Sequence, residues 1–265
     1  MKNMLIADSL RHLFIRLGFA VVTATFVALV ASLFVQPAAA EKTLRVATYG
    51  LPPGLGNPHT STNHPTIFTW MAFFDTITYV DAQGTTNPGL AVAWESKGKD
   101  TWLLTLRPGV KFQNGEAFNA NAVVANLEYL LSEKGRTTSV FREIHGLASA
   151  RAVDDLTVEI RTKIPNPILA AQLGTLRVFA PGHWADLGPE AFAKQPIGTG
   201  AFMATDWDVG KVEGVAFNNG WRSPKVNRLE IIELPETATR VAGVQSGQID
   251  IALRISPDDK RAIES

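Results

Sequence analysis

From Thr43 onward, apolar and polar residues alternate in short runs, with a few longer helical stripes between them. Leu44, Val46 and Thr48 alternate with Thr43, Arg45 and Ala47, a period of two that predicts a short first strand. Residues 50–59 are rich in Gly and Pro and read as a loop. After Pro65, the dense apolar run over residues 67–77 predicts a buried helix, with Trp70, Phe73 and Phe74 as core. From Tyr79 to Phe118 the period shortens again. Asp81-Ala-Gln-Gly84 reads as a turn, and Trp94 and Trp102 fall on two strands joined by Lys97-Gly-Lys-Asp100. Leu104 and Leu106 continue the second strand, Arg107-Pro-Gly109 turns, and Asn114-Gly115 suits the positive φ of a tight turn. Asn119 is placed to cap a helix whose apolar stripe is Val123, Val124, Leu127, Leu130 and Leu131. Residues 150–162 predict a further hairpin turning at Asp154-Asp155.

A second style begins near Pro196. Strands are expected around Phe202 and over residues 212–217, followed by a strand–helix–strand unit. That unit comprises a strand at 229–234, a helix from Glu236 to about Ser246 and a strand at 249–253, with Pro235 at the helix entrance and Gly247 at its exit. Such a unit requires parallel pairing and helices that cover the sheet. The pattern therefore predicts an α/β chain in which residues 41–78 open a first lobe, 79–195 insert a β-rich domain, and 196–265 return to that lobe.

The N-terminus adds a compartment. Lys2, Arg11 and Arg16 give a basic start, residues 17–35 carry no charge, and Pro37 with Ala38-Ala39-Ala40 precedes the polar Glu41-Lys42. This is the form of a secretory signal peptide over residues 1–40, with an uncleaved membrane anchor as the competing reading. The expected location is the periplasm. Removing that segment leaves 22 basic and 24 acidic residues, a balance that gives no basic patch for nucleic acid or an anionic membrane. The chain has no cysteine, which excludes disulfides, thiol catalysis, cysteine-ligated metals and a lipoprotein anchor. No cofactor is expected, and a monomer is.

Four stretches, in this order and spacing, resemble the extracellular solute-binding proteins of family 5, which serve ABC importers of oligopeptides, dipeptides and nickel chelates. Leu90-Ala-Val-Ala-Trp94 is similar to the family's "LA.SW" segment. Leu104-Thr-Leu-Arg-Pro-Gly-Val-Lys-Phe-Gln-Asn-Gly-Glu-Ala-Phe118, with Asn119-Ala-Asn-Ala-Val-Val124 after it, resembles the signature "F.LR.GVKF.DG.PF" and its "TA.DV" helix start. Pro196-Ile-Gly-Thr-Gly200 is similar to "P.GTGPY", and Gly247-Gln-Ile-Asp-Ile251 to "G.IDI". Asn119, Asn121 and Ala201 depart from the usual Thr, Asp and Pro. The resemblance covers residues 43–265 and implies a type II periplasmic binding protein fold. It also implies chains about twice this length, so that a first lobe with its β-rich insertion is present and the second lobe is missing.

By the same resemblance, the solute contacts are expected from Tyr49, Thr62, Asn63 and Ile67 on the loop after the first strand, with Phe141 as an apolar wall. Arg177 is expected at the cleft edge, where its guanidinium fork suits a ligand carboxylate. The expected partners are a peptide or metal chelate and an inner-membrane ABC permease. Without a second lobe, weak binding and aggregation are expected. Enzyme readings are thin: Ser139 or Ser149 with His145 lacks a G-x-S-x-G elbow, and the Gly-Thr-Gly segment lacks the phosphate-loop lysine. His59 and His64 lack the spacing of a metal pair.

Overall fold

The computed structural model describes residues 41–62 and 66–264, so the signal-peptide reading of residues 1–40 lies outside the described residues, as does Asn63. The chain begins with β1 (Thr43–Thr48), then α1 (Thr66–Phe73), β2 (Thr78–Val80), β3 (Thr86–Pro88), β4 (Ala91–Ser96) and β5 (Thr101–Leu106). Next come α2 (Ala120–Leu131), α3 (Ser139–Glu143), β6 (Leu147–Asp154), β7 (Thr157–Thr162), α4 (Leu169–Gln172) and α5 (Pro181–Phe192). The last part holds β8 (Phe202–Asp208), β9 (Lys211–Ala216), β10 (Arg228–Glu233), α6 (Thr237–Gln245), β11 (Ile251–Ala252) and α7 (Pro257–Glu264).

One sheet runs β11-β1-β10-β9-β8. In it β1 lies parallel to both β10 and β11, while β9 pairs antiparallel with β10 and with β8. The strand–helix–strand reading of residues 229–253 therefore holds, with α6 as the crossover that carries the chain from β10 past β1 to the parallel β11. Gly247 takes φ +72° just past that helix. Between β1 and β8 in sequence lies a four-stranded antiparallel sheet, β4-β5-β7-β6, and a two-stranded one, β2-β3. The hairpins fall where the turn residues put them. Lys97 N–H donates to Thr101 O across the β4–β5 turn at 2.8 Å, and Gly115 takes φ +90° in the turn after Phe112.

The inserted sheet packs one face on α2. Leu104, Leu106, Val158 and Ile160 of the strands are buried with Val123, Leu127 and Leu130 of the helix. Asn119 caps α2, its side-chain oxygen accepting from Ala122 N–H at 3.0 Å. A second apolar cluster joins Trp70, Phe73 and Phe74 to Trp207, Val212, Leu229 and Ile231 of the parallel-stranded sheet.

The helix expected over residues 67–77 stops at Phe73. The following residues leave it because their groups are committed elsewhere. Ile77 is buried in the inserted core, and its N–H donates to Leu176 O at 3.3 Å. Asp75 accepts from Thr199 Oγ1 at 2.9 Å and Trp221 Nε1 at 2.8 Å, and pairs with Arg222. Gln113 then closes the junction. Its side-chain NH2 shares its two hydrogens among Phe73 O (3.0 Å), Gly200 O (3.1 Å) and Phe202 O (2.7 Å), and its carbonyl accepts from Gly198 N–H (2.9 Å). The signature hairpin and the Gly-Thr-Gly segment are thus two halves of one buried joint. A Cβ at Gly198 or Gly200 would run into the Phe73 carbonyl. Gly200→Ala is expected to cost about 2–3 kcal/mol of stability, as overpacking against backbone does; an unchanged urea midpoint would contradict this.

Candidate functional site at the carboxyl ends of the parallel strands

Strands β10, β1 and β11 finish side by side, and hydrogen bonds knit their ends together. Leu234 N–H donates to Thr48 O at 2.7 Å, Leu253 N–H to Ala47 O at 2.9 Å, and Leu51 N–H to the Glu233 carboxylate at 3.2 Å. Arg240 of α6, 2 % exposed, fixes this edge from below. It donates to Leu234 O, Pro235 O, Leu253 O, Arg254 O and Thr237 Oγ1 at 2.6–3.1 Å. Above it, the exposed Arg254 lays its guanidinium over the Tyr49 ring, 5.2 Å from the centroid. In open α/β sheets, ligands bind outside the carboxyl ends of strands, where the crossovers diverge.

The loop from β1 to α1 walls this edge. Gly56 N–H donates to Ala193 O at 2.8 Å, Trp70 Nε1 to Leu55 O at 3.2 Å, and Ser139 Oγ to Thr60 O at 3.3 Å. His59 is fully buried among Tyr129, Phe179 and Trp184, with ring centroids 5.4–6.4 Å away. Burial, and then the charge of Arg177, push its pKa down to about 3.

The expected contact residues divide. Tyr49 is half-buried at the strand ends, and Thr62 and Ile67 are half-buried on either side of the undescribed residues 63–65. Phe141 sits in α3 and packs against the inserted core, its N–H donating to the Thr138 cap at 3.3 Å. Arg177 is not on an exposed edge. It is 2 % exposed, because residues 176–178 run beside 75–77: Val178 N–H donates to Asp75 O at 3.2 Å, and Thr76 and Arg177 form a bridge. Its guanidinium stacks on Trp70 at 5.0 Å and donates weakly to Thr175 O at 3.4 Å. Among the described residues it meets no carboxylate, and burial lowers its pKa to about 10. Tyr49 and Thr62 therefore share one loop, Ile67 lies in the first turn of α1 that follows it, and Arg177 is buried against Trp70 of that helix.

Sequence reasoning missed Arg240 and Arg254. For Arg254 the only available signal was position, just after the Gly-Gln-Ile-Asp-Ile segment; Arg240 sits before that segment, in the crossover helix, and carried no signal. At the amino ends of the strands, the segment between β9 and β10 brings Trp221 and Arg222 to Asp75, whose pKa burial raises. A cavity of about 340 Å³ opens there, lined by Asp75, Tyr79 and Trp221 among others. Ser139 and Ser149 do not hydrogen-bond His145 among the described residues, and no described group of three His, Asp or Glu side chains is placed to hold a metal. No described helix is long and apolar enough to cross a membrane.

Comparison with known proteins agrees with this geometry. The architecture matches OppA of Burkholderia pseudomallei with a TM-score of 0.74 at 20 % identity, covering 85 % of this chain and 48 % of that one. The fold is thus part of a type II periplasmic binding protein. The profile of the "Bacterial extracellular solute-binding proteins, family 5 Middle" matches residues 85–265, and the chain belongs to that family. The nickel-binding periplasmic protein of Escherichia coli K12 is 27 % identical over 202 residues, 74 % of this chain and 38 % of that protein. The glutathione-binding protein GsiB of Pectobacterium atrosepticum is 31 % identical over 173 residues, 62 % and 32 % respectively. The chain spans about a third of the length of these curated relatives.

Proposed function

We propose that this protein is the periplasmic capture component of an ABC importer, holding a peptide, a nickel chelate or a similar small solute and presenting it to an inner-membrane permease. The observation that carries this reading is the knit carboxyl edge of β1, β10 and β11. It offers an aromatic ring and a cation beside a Gly/Pro-rich loop and, among the described residues, no hydrogen-bonded nucleophile–base pair. Solute bridging this wall to a second lobe favours a closed form, and that population shift is the signal the permease reads. No bond is broken. Tyr49, Thr62, Asn63 and Ile67 are the proposed contacts, Phe141 supports the loop through α3, and Arg177 stiffens it from behind.

Titration calorimetry on the full-length exported protein, against glutathione, nickel–histidine and short peptides, tests this. Binding of at least one at micromolar Kd or tighter (about −8 kcal/mol) with the solute recovered intact is expected. Cleaved solute, or no binding across the panel, would contradict it.

A second reading concerns the 41–265 polypeptide alone. Phe68 and Met71 are 43 % and 53 % exposed on α1, beside an apolar hollow of about 200 Å³ lined by Leu44, Val46, Ala72, Leu229 and Ile231. Large uncovered apolar surface promotes association. Sedimentation of that polypeptide is expected to show concentration-dependent self-association and calorimetry at least tenfold weaker binding. A monodisperse, fully binding fragment would refute the proposal that a second lobe completes the cleft.

A further inference from the structure

Arg254 stands apart from the other arginines. Among the described residues only Leu55 and Arg254 are non-glycine residues with positive φ, at 50° and 57°. Both lie at the carboxyl side of the parallel strands, in the loop after β1 and just past β11. This is backbone that glycine adopts freely and a branched or long side chain does not, and such strain gathers at ligand sites. Arg240 enforces it by holding the carbonyls of Leu253 and Arg254 at 3.1 and 3.0 Å.

The side chain held there is also unspent. The other described arginines have a carboxylate or carbonyl partner: Arg45 with Glu230, Arg151 and Arg161 with Glu159, Arg222 with Asp75, Arg228 with Glu213, Arg261 with Asp258. Arg107, Arg136, Arg142, Arg177 and Arg240 donate to backbone oxygens. Among the described residues, Arg254 has only the Tyr49 ring. Acids at the end of β10 and in α7 have partners of their own. Glu233 accepts from Leu51 N–H, Asp259 from the N–H and hydroxyl of Ser256, and Asp258 pairs with Arg261. A guanidinium held over an aromatic ring by cation–π attraction spends none of its N–H donors on that contact, and its fork can receive a carboxylate in two parallel hydrogen bonds.

We infer that Arg254, seated on Tyr49, is the specificity-determining residue for a solute carboxylate. The inference rests on the capture reading and narrows it: the solute class is carboxylate-bearing, with the acid supplied by a peptide terminus or by a metal chelator.

Equilibrium dialysis of the full-length exported protein separates these sources. One arm offers a mixture of dipeptides against the same dipeptides as C-terminal amides. The other offers nickel–histidine against nickel–histidinamide. Preferential retention of the carboxylate form by at least about tenfold is expected in one arm, and that arm names the source. Arg254→Gly, which suits the positive φ, is expected to abolish the preference without lowering the thermal midpoint, and Arg254→Lys to keep part of it. Equal retention of acid and amide, or an undiminished preference in Arg254→Gly, would overturn the inference and leave solute capture standing. Retention of nothing in either arm would overturn capture itself.

Discussion

Gln113→Leu is expected to lower the unfolding free energy by about 3–4 kcal/mol. The side chain is 9 % exposed and serves four backbone groups on three segments: Phe73 O, Gly200 O, Phe202 O and Gly198 N–H. A leucine fills the volume but leaves those groups buried, and each unsatisfied group costs about 1–3 kcal/mol. The Phe73 carbonyl keeps the Gly200 N–H at 3.0 Å, so the full sum is not expected. Urea unfolding followed by Trp fluorescence measures the loss. A change below about 1 kcal/mol would mean that the joint between the signature hairpin and the Gly-Thr-Gly segment is not where the stability resides.

Acid is expected to destabilise the protein through His59. The unfolded chain takes up a proton on this residue near pH 6.5, whereas burial and the Arg177 charge keep it neutral in the folded state down to about pH 3. Between those values each unit of acidification favours unfolding by about 1.4 kcal/mol, so stability present above pH 6.5 falls by about 2 kcal/mol at pH 5. The loss approaches 4–5 kcal/mol at pH 3. His59→Phe retains the ring contacts with Tyr129, Phe179 and Trp184 and has nothing to protonate. Its urea midpoint is expected to change markedly less between pH 7 and 5 than that of the parent. Identical slopes for the two proteins would remove His59 as the acid-sensitive element.

The parts of the fold legible in the sequence are those set by local chemistry. The β4–β5 and β6–β7 hairpins, the Asn119 cap and the β10–α6–β11 unit follow from periodicity and from turn residues within a few positions of each other. What the sequence did not disclose depends on partners far along the chain. The end of α1 at Phe73 is set by Thr199, Trp221 and Arg222 drawing Asp75 away, residues 124–147 positions distant. Asn126, on the buried side of α2, is a second such case. It is a strut whose amide donates to Phe179 O and whose carbonyl accepts from Phe179 N–H, both at 3.0 Å. The family resemblance points Arg177 to a cleft edge, whereas it is 2 % exposed. The pairing of residues 176–178 with 75–77, which carries it inside, leaves no local mark. Arg254 was invisible for the opposite reason: its backbone asks for glycine, and the sequence does not supply one.

Hydrogen exchange on the full-length protein, with and without the tightest-binding solute of the calorimetric panel, bears most directly on solute capture at the carboxyl edge. Slower exchange is expected at the amides of residues 49–62 and 253–256, with the Asp75–Trp221 end unchanged. Protection confined to the Asp75–Trp221 cavity, with the Tyr49–Arg254 edge exchanging as before, would contradict the account.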